Sequence, residues 1–157
     1  MMNNILSLIH EKKEHLIGYE TFSYQLLNSE IDELNQILDQ REKIIQSINQ
    51  LDCLLHNLIE ESELKSQLYE CKNRIIKRCD ISDQLLDIYD GYDSIYDSLN
   101  KIQNLELKVI ERLDHLKNEL NTNLVQVENV SKIKKYFETY ETEMQDMTQM
   151  MRKTTKI

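Results

Sequence analysis

The sequence predicts an all-α protein, and three observations carry that prediction. The 157 residues contain no proline and two glycines, Gly18 and Gly91. Leu, Ile, Glu, Lys and Gln are abundant, and apolar residues recur at three–four spacing almost from end to end. A sheet protein needs turn residues between its strands, and this chain has almost none. The apolar stripes predict long helices crossing at shallow angles: an elongated antiparallel hairpin or bundle of four to five long helices with coiled-coil-like packing. The length suits one domain. Residues 1–127 are expected to form the bundle, and 128–157 an amphipathic helix or mobile tail of the same domain. No segment of fixed length repeats, which excludes a solenoid.

The first helix is expected from about Asn3 to Leu27, with the stripe Ile5, Leu8, Ile9, Leu16, Tyr19, Phe22 and Leu26. His15 falls on its apolar side and reads as a packed histidine. "NSEID" then looks like a helix start, with Ser29 as N-cap and Asp32 three residues on, a shortened capping box. The second helix would run from Glu30 to about Glu61, about 45 Å at a rise of about 1.5 Å per residue. A third segment, about Ser62 to Arg78, carries Leu64, Leu68, Cys71 and Ile75. A soft break follows at "CDISD", where Asp80 or Ser82 is placed to cap a restart. The longest helix is expected from Ser82 or Tyr92 to Leu124, with Gly91 as a weak point that alone does not break it. Its stripe is Ile95, Leu99, Ile102, Val109, Leu113, Leu116 and Leu120. "NTN" (121–123) ends or bends it. The last segment has a regular seam: Val130, Ile133, Phe137, Tyr140, Met144, Met147 and Met151.

Burying one Leu or Ile contributes about 1.5–3 kcal/mol, while ordering the backbone costs about 1–2 kcal/mol per residue. No such helix stands alone, so the stripes must pack on one another. The simplest arrangement is an antiparallel hairpin of residues 30–61 and 92–124, with the first helix and the third segment alongside. The second helix has an irregularity: in Ile31, Leu34, Leu38, 41, Ile45, Ile48 the missing apolar residue is Arg41. At about 100° per residue Arg41 points along the centre of the stripe. The fourth helix has a matching one, because Glu106 fills the gap in Leu99, Ile102, 106, Val109, Leu113. A buried unpaired charge is very costly, and a guanidinium fork suits a carboxylate. Arg41 and Glu106 are therefore expected to face each other and to fix register. The alternative is that Arg41 runs its head to water along the groove.

Several functions lack their residues. The net charge is −9, from 28 acidic against 19 basic side chains. That argues against a general nucleic-acid binder, which needs a basic face, and against anchoring on anionic lipid. No apolar run approaches the ~20 residues that span a bilayer, and "MMNNILSLIHEKKEH" lacks the pattern of a secretory leader. Three sparse cysteines, Cys53, Cys71 and Cys79, fit reduced thiols, so a cytoplasmic location is expected. Cys71 and Cys79 fall on the apolar stripe and read as small core residues; Cys53 lies towards the polar side.

No Glu-x-x-His motif supports a di-iron bundle. Cys53-x-x-His56 is half a zinc site with no second half, and a solvated surface pair is the simpler reading. "DIYDGYDSIYD" (87–97) lacks the order of a calcium loop. There Asp90, Asp93 and Asp97 share a solvated face, while Tyr89, Tyr92 and Tyr96 share another beside the stripe. The tyrosines read as core-edge residues with wet hydroxyls, or else as a partner-binding patch. There is no phosphate loop and no nucleophile constellation. No enzyme and no cofactor are expected.

What remains is surface. Four methionines lie between 144 and 151, among segregated charges: Lys132, Lys134 and Lys135, then Glu138, Glu141, Glu143 and Asp146, then Arg152, Lys153 and Lys156. Methionine is flexible and polarisable and recurs on adaptable binding faces. The seam Val130, Ile133, Phe137, Tyr140, Met144, Met147, Met151 is the candidate partner-binding surface. It also fits a last helix docked on the bundle, and a loosely docked helix can cover a site and be displaced.

Two stretches resemble the FliT-type flagellar export chaperones and, more distantly, the FlgN type. "IDELNQILDQREKIIQSINQLD" (31–52) looks like the second helix of that family, with Arg41 on its recurrent arginine. "IYDSLNKIQNLELKVIERLDHLKNELNTNLVQVENVSKIKKYFETY" (95–140) is similar to its later helix. Leu105–Glu106 matches a Leu-Asp pair there, and "KIKKYFETY" a Lys-rich run ending in tyrosine, at Tyr136 or Tyr140. The chain departs from the family across 62–92 and beyond Tyr140. The resemblance implies a cytoplasmic helical chaperone. It would hold the helical terminus of an exported flagellar subunit, the filament cap protein or the hook-associated proteins, and deliver it to the export apparatus. A structural coiled-coil or scaffold protein that self-associates, a homodimer included, is the competing expectation.

Overall fold

The computed structural model describes residues 1–122, 135–139 and 141–147. These are helical almost throughout, with no strand among the described residues. The helices are α1 (Met2–Asn28), α2 (Ile31–Glu60), α3 (Lys65–Asn73) and α4 (Leu86–Thr122). Two single 3-10 turns, Arg78–Asp80 and Asp83–Leu85, lead into α4. The C-terminal segment is helical at 135–139 and 141–147. The chain is an all-α helical bundle. At a rise of about 1.5 Å per residue, α4 is about 55 Å long.

The helices run up, down and up. Between α1 and α4 the paired residues keep a nearly constant separation in sequence: Lys13 with Ser94 at 81, Ser23 with Glu106 at 83, Ser29 with Arg112 at 83. A constant offset means parallel helices. Along α2 the partners of α1 run backwards, from Lys12 with Asp52 to Tyr19 with Arg41, so α2 is antiparallel. The backbone of α1 lies against both α2 and α4. The expected hairpin of residues 30–61 and 92–124 with α1 at its side is thus corrected: α1 is the central helix, and long side chains bridge α2 to α4 across it. The two glycines give the physical reason. A Cβ on Gly91 of α4 would stand 2.8 Å from Ile9 Cγ2 of α1, so only glycine lets these helices approach so closely. Gly18 of α1 faces Ile44 of α2 in the same way, less tightly, at 3.5 Å.

The link between α2 and α4 differs from the expected third helix. α3 ends at Arg74, whose φ of 56° is left-handed. The Ile75 amide donates to the Glu70 carbonyl at 3.2 Å, and the Arg74 amide to that of Cys71 at 3.4 Å, a Schellman closure without glycine. Helical phase is lost there. Ile75 and Cys79, expected on the buried stripe, are exposed, while Leu68 and Cys71 are buried. The acid-rich run 87–97 holds this link. Asp93 pairs with Arg74 at 2.5 Å and Asp90 with Arg78 at 2.9 Å. Arg74 also stacks over the Tyr96 ring at 4.6 Å. Tyr92 and Tyr96 are buried and Tyr89 is half-buried. Ser29 does not cap α2. Its hydroxyl donates back to the Leu26 carbonyl at 3.0 Å and closes α1, and Glu30 holds the N-cap position. His15 is half-buried.

Two apolar clusters fill the bundle. One joins the first half of α1 to the end of α2, α3 and the start of α4, with Ile9, Leu16, Ile59, Leu68, Ile88 and Ile95 at its centre. The other joins Leu26, Leu34, Leu38, Val109, Leu113 and Leu116 at the opposite end. Between them, at the level of Tyr19, Arg41 and Glu106, the bundle is polar.

Candidate functional site

The polar layer centres on Arg41. Its place mid-stripe in α2 follows from helical spacing, and the same spacing turns Glu106 of α4 and Tyr19 of α1 towards it. Arg41 is 0% exposed and Glu106 3%. The structure brings these two together: Arg41 Nη2 donates to Glu106 Oε1 at 2.6 Å. The same nitrogen donates to the Tyr19 hydroxyl, and the guanidinium carbon lies 4.6 Å from the centre of the Tyr19 ring. Arginine accepts both contacts because its fork donates in plane and its face stacks on aromatics. Ser23, one turn beyond Tyr19, donates to the Tyr19 carbonyl at 2.8 Å and stands 3.4 Å from Glu106 Oε1. Being small, it leaves room for that carboxylate.

A third charge enters from the C-terminal segment. Glu143 is 1% exposed. Its Oε2 stands 3.4 Å from Arg41 Nε, at an angle that makes an ion pair and not a hydrogen bond. Among the described residues the site therefore holds one cation and two carboxylates, all buried. Burial pushes the Glu143 carboxyl up to about 8, against the attraction of Arg41 and with the help of Glu106. Burial likewise raises the Tyr19 hydroxyl far above the usual tyrosine range.

Of the candidate binding seam, Phe137, Met144 and Met147 lie among the described residues, and Val130, Ile133, Tyr140 and Met151 lie outside them. Phe137 and Met144 are half-buried on the cluster of Leu26, Leu38 and Val109, together with Tyr136. Lys117 of α4 covers the Phe137 ring, with Nζ 5.3 Å from its centre. Met147 is buried in the other cluster. The described residues of the segment run back antiparallel to α4, from the level of Lys117 to that of Arg41, with Tyr136, Phe137, Met144 and Met147 turned onto the bundle. Its charged residue at the polar layer is Glu143.

A second ion pair, of a buried lysine with a half-buried aspartate, was missed in the sequence. Lys12 of α1 is buried and donates to Asp52 of α2 at 2.7 Å. The signal was the one that marks Arg41: in Ile5, Ile9, 12, Leu16, Tyr19 the residue completing the stripe is Lys12. Tyr92 of α4 packs beside this pair, and burial, with the nearby Asp52 carboxylate, raises its hydroxyl.

Cys53 and His56 are exposed, and the His56 ring Nδ1 is 3.2 Å from the Tyr69 hydroxyl, which donates to Glu60 at 2.5 Å. Among the described residues no group of three or more His, Cys, Asp or Glu is placed to hold a metal ion, and no helix is long and apolar enough to cross a membrane. What the arrangement offers is a segment, helical at 135–139 and 141–147, laid along a bundle with Phe137, Met144 and Met147 turned inward and one carboxylate delivered to a buried guanidinium. Compared with family models, curated proteins and solved structures, the chain matches none.

Proposed function

We propose that this protein is a binding protein, not an enzyme: a cytoplasmic chaperone that holds a helical segment of an exported flagellar subunit and passes it to the export apparatus. One observation carries the reading. The chain makes a helix-in-groove contact with itself, in which Phe137, Met144 and Met147 of the C-terminal segment lie on the bundle. A partner helix with a similar stripe takes the same seat, and the displaced methionines, being flexible, adapt to what they meet. The likeness of residues 31–52 and 95–140 to the FliT and FlgN types supplies the class of partner: the filament cap protein or a hook-associated protein.

The test is co-purification from the protein's own cells, with and without residues 128–157, read by mass spectrometry. Recovery of one flagellar export subunit, in an amount that changes when the segment is removed, supports the proposal. Recovery of this chain alone, in a defined oligomer, sinks it and favours a self-associating coiled-coil protein.

A further inference from the structure

We infer that the C-terminal segment seats on the bundle with one proton on Glu143, so that its docking is a proton-coupled latch. The argument is one of buried charge. The groups that face Glu143 come from three helices: Tyr19 of α1, Arg41 of α2 with Asp39 and Glu42 on the same helix, and Glu106 of α4. Tyr19 is neutral, because burial raises its hydroxyl. Arg41 is the one cation among them. It is engaged by Glu106 at 2.6 Å, whereas Glu143 stands off at 3.4 Å. Neither Glu143 oxygen has a hydrogen-bond donor among the described residues. Were both carboxylates ionised, this buried layer would hold a negative charge without a counter-ion among the described residues, which is very costly. A proton from solvent on Glu143 removes that charge and leaves the Arg41–Glu106 pair intact.

Its pKa agrees with the geometry. The carboxyl rises from 4.5 to about 8, first through burial and then through Glu106, Glu42 and Asp39, with Arg41 opposing. The docked state thus binds one proton more than the undocked state between these values. Docking is strongest below the lower value. It weakens as pH rises, by about tenfold per pH unit, and stops weakening once the docked carboxyl has itself ionised. Neutral pH lies inside the window, so a modest change in pH, or a cation brought up to Glu143, shifts the seat.

The test is hydrogen exchange of the full-length protein from pH 5.5 to 8.5, corrected for the intrinsic pH dependence of exchange. Protection of amides in residues 135–147 is expected to fall about tenfold per pH unit until near pH 8, while Ile95–Ile102 in the core of α4 do not follow. Glu143→Gln, a neutral isostere, is expected to stay protected with no slope. Protection that is flat with pH in the wild type, or an unchanged slope in Glu143→Gln, overturns the latch. Independently of any variant, the side-chain carboxyl carbon of Glu143 in the wild type should titrate near 8. A midpoint in the ordinary carboxylate range would also overturn it.

Discussion

Arg41 stands where two apolar clusters meet, and a charge so placed fixes alignment. Sliding α2 by one turn along α1 and α4 would strand a guanidinium among leucines, against a cost of several kcal/mol. Removing Arg41 strands Glu106, whereas removing Glu106 leaves Arg41 with Glu143, 3.4 Å away, as its counter-charge. Arg41→Ala is expected to lose about 3–5 kcal/mol in urea unfolding, and Glu106→Ala less, because Glu143 can then ionise and pair with Arg41. Their double-mutant cycle should return a coupling above about 1 kcal/mol. Loss in Arg41→Ala alone, with Glu106→Ala neutral, would mean that Tyr19 and Glu143 are the working partners. At this scale the sequence was readable wherever a charge broke a stripe. Both Arg41 and Glu106 showed themselves so, and Lys12 carried the same signature. Glu143 did not: it lies one residue before Met144, and nothing in a lone helical stripe tells which flank turns inward when the helix docks.

At the scale of the helix, glycine decides who neighbours whom. Gly91→Ala is expected to lower stability by about 1–2 kcal/mol, because the clash with Ile9 outweighs the gain in helix propensity. Gly18→Ala has ordinary contact distance to Ile44, so thermal unfolding should show it neutral or more stable by up to about 1 kcal/mol. The reverse order would mean that α1 and α4 do not approach as described. The existence and type of α1, α2 and α4 were legible from periodicity, but their neighbours were not. Stripes say that a face is buried and leave open against which helix. The link after α3 was illegible for a local reason. Arg74 takes a left-handed conformation usually left to glycine, and its ties to Asp93 and Tyr96 hold it there from a distance in sequence that no local pattern reveals.

For the whole molecule, the C-terminal segment completes both clusters, through Phe137 and Met144 at one end and Met147 at the other. Placing a charge at its inner face should release it without unfolding the rest. Met147→Glu is expected to abolish exchange protection across 135–147 and to raise binding of a hydrophobic dye, while amides of Ile95–Ile102 keep theirs. If the whole bundle melts instead, the segment is part of one cooperative core and no partner can take its seat. If co-purification of a partner rises in the same variant, segment and partner compete for one groove.

The parallel pairing of α1 with α4 also bears on synthesis. Contacts about 80 positions apart cannot form until the fourth helix has left the ribosome. Until then a nascent hairpin of the first two helices has its third side bare, with Arg41 lacking its carboxylate. Emergence of Glu106 both closes the bundle and neutralises its centre. A stall that leaves α2 outside the ribosome and Glu106 still inside it would hold the chain in its stickiest form.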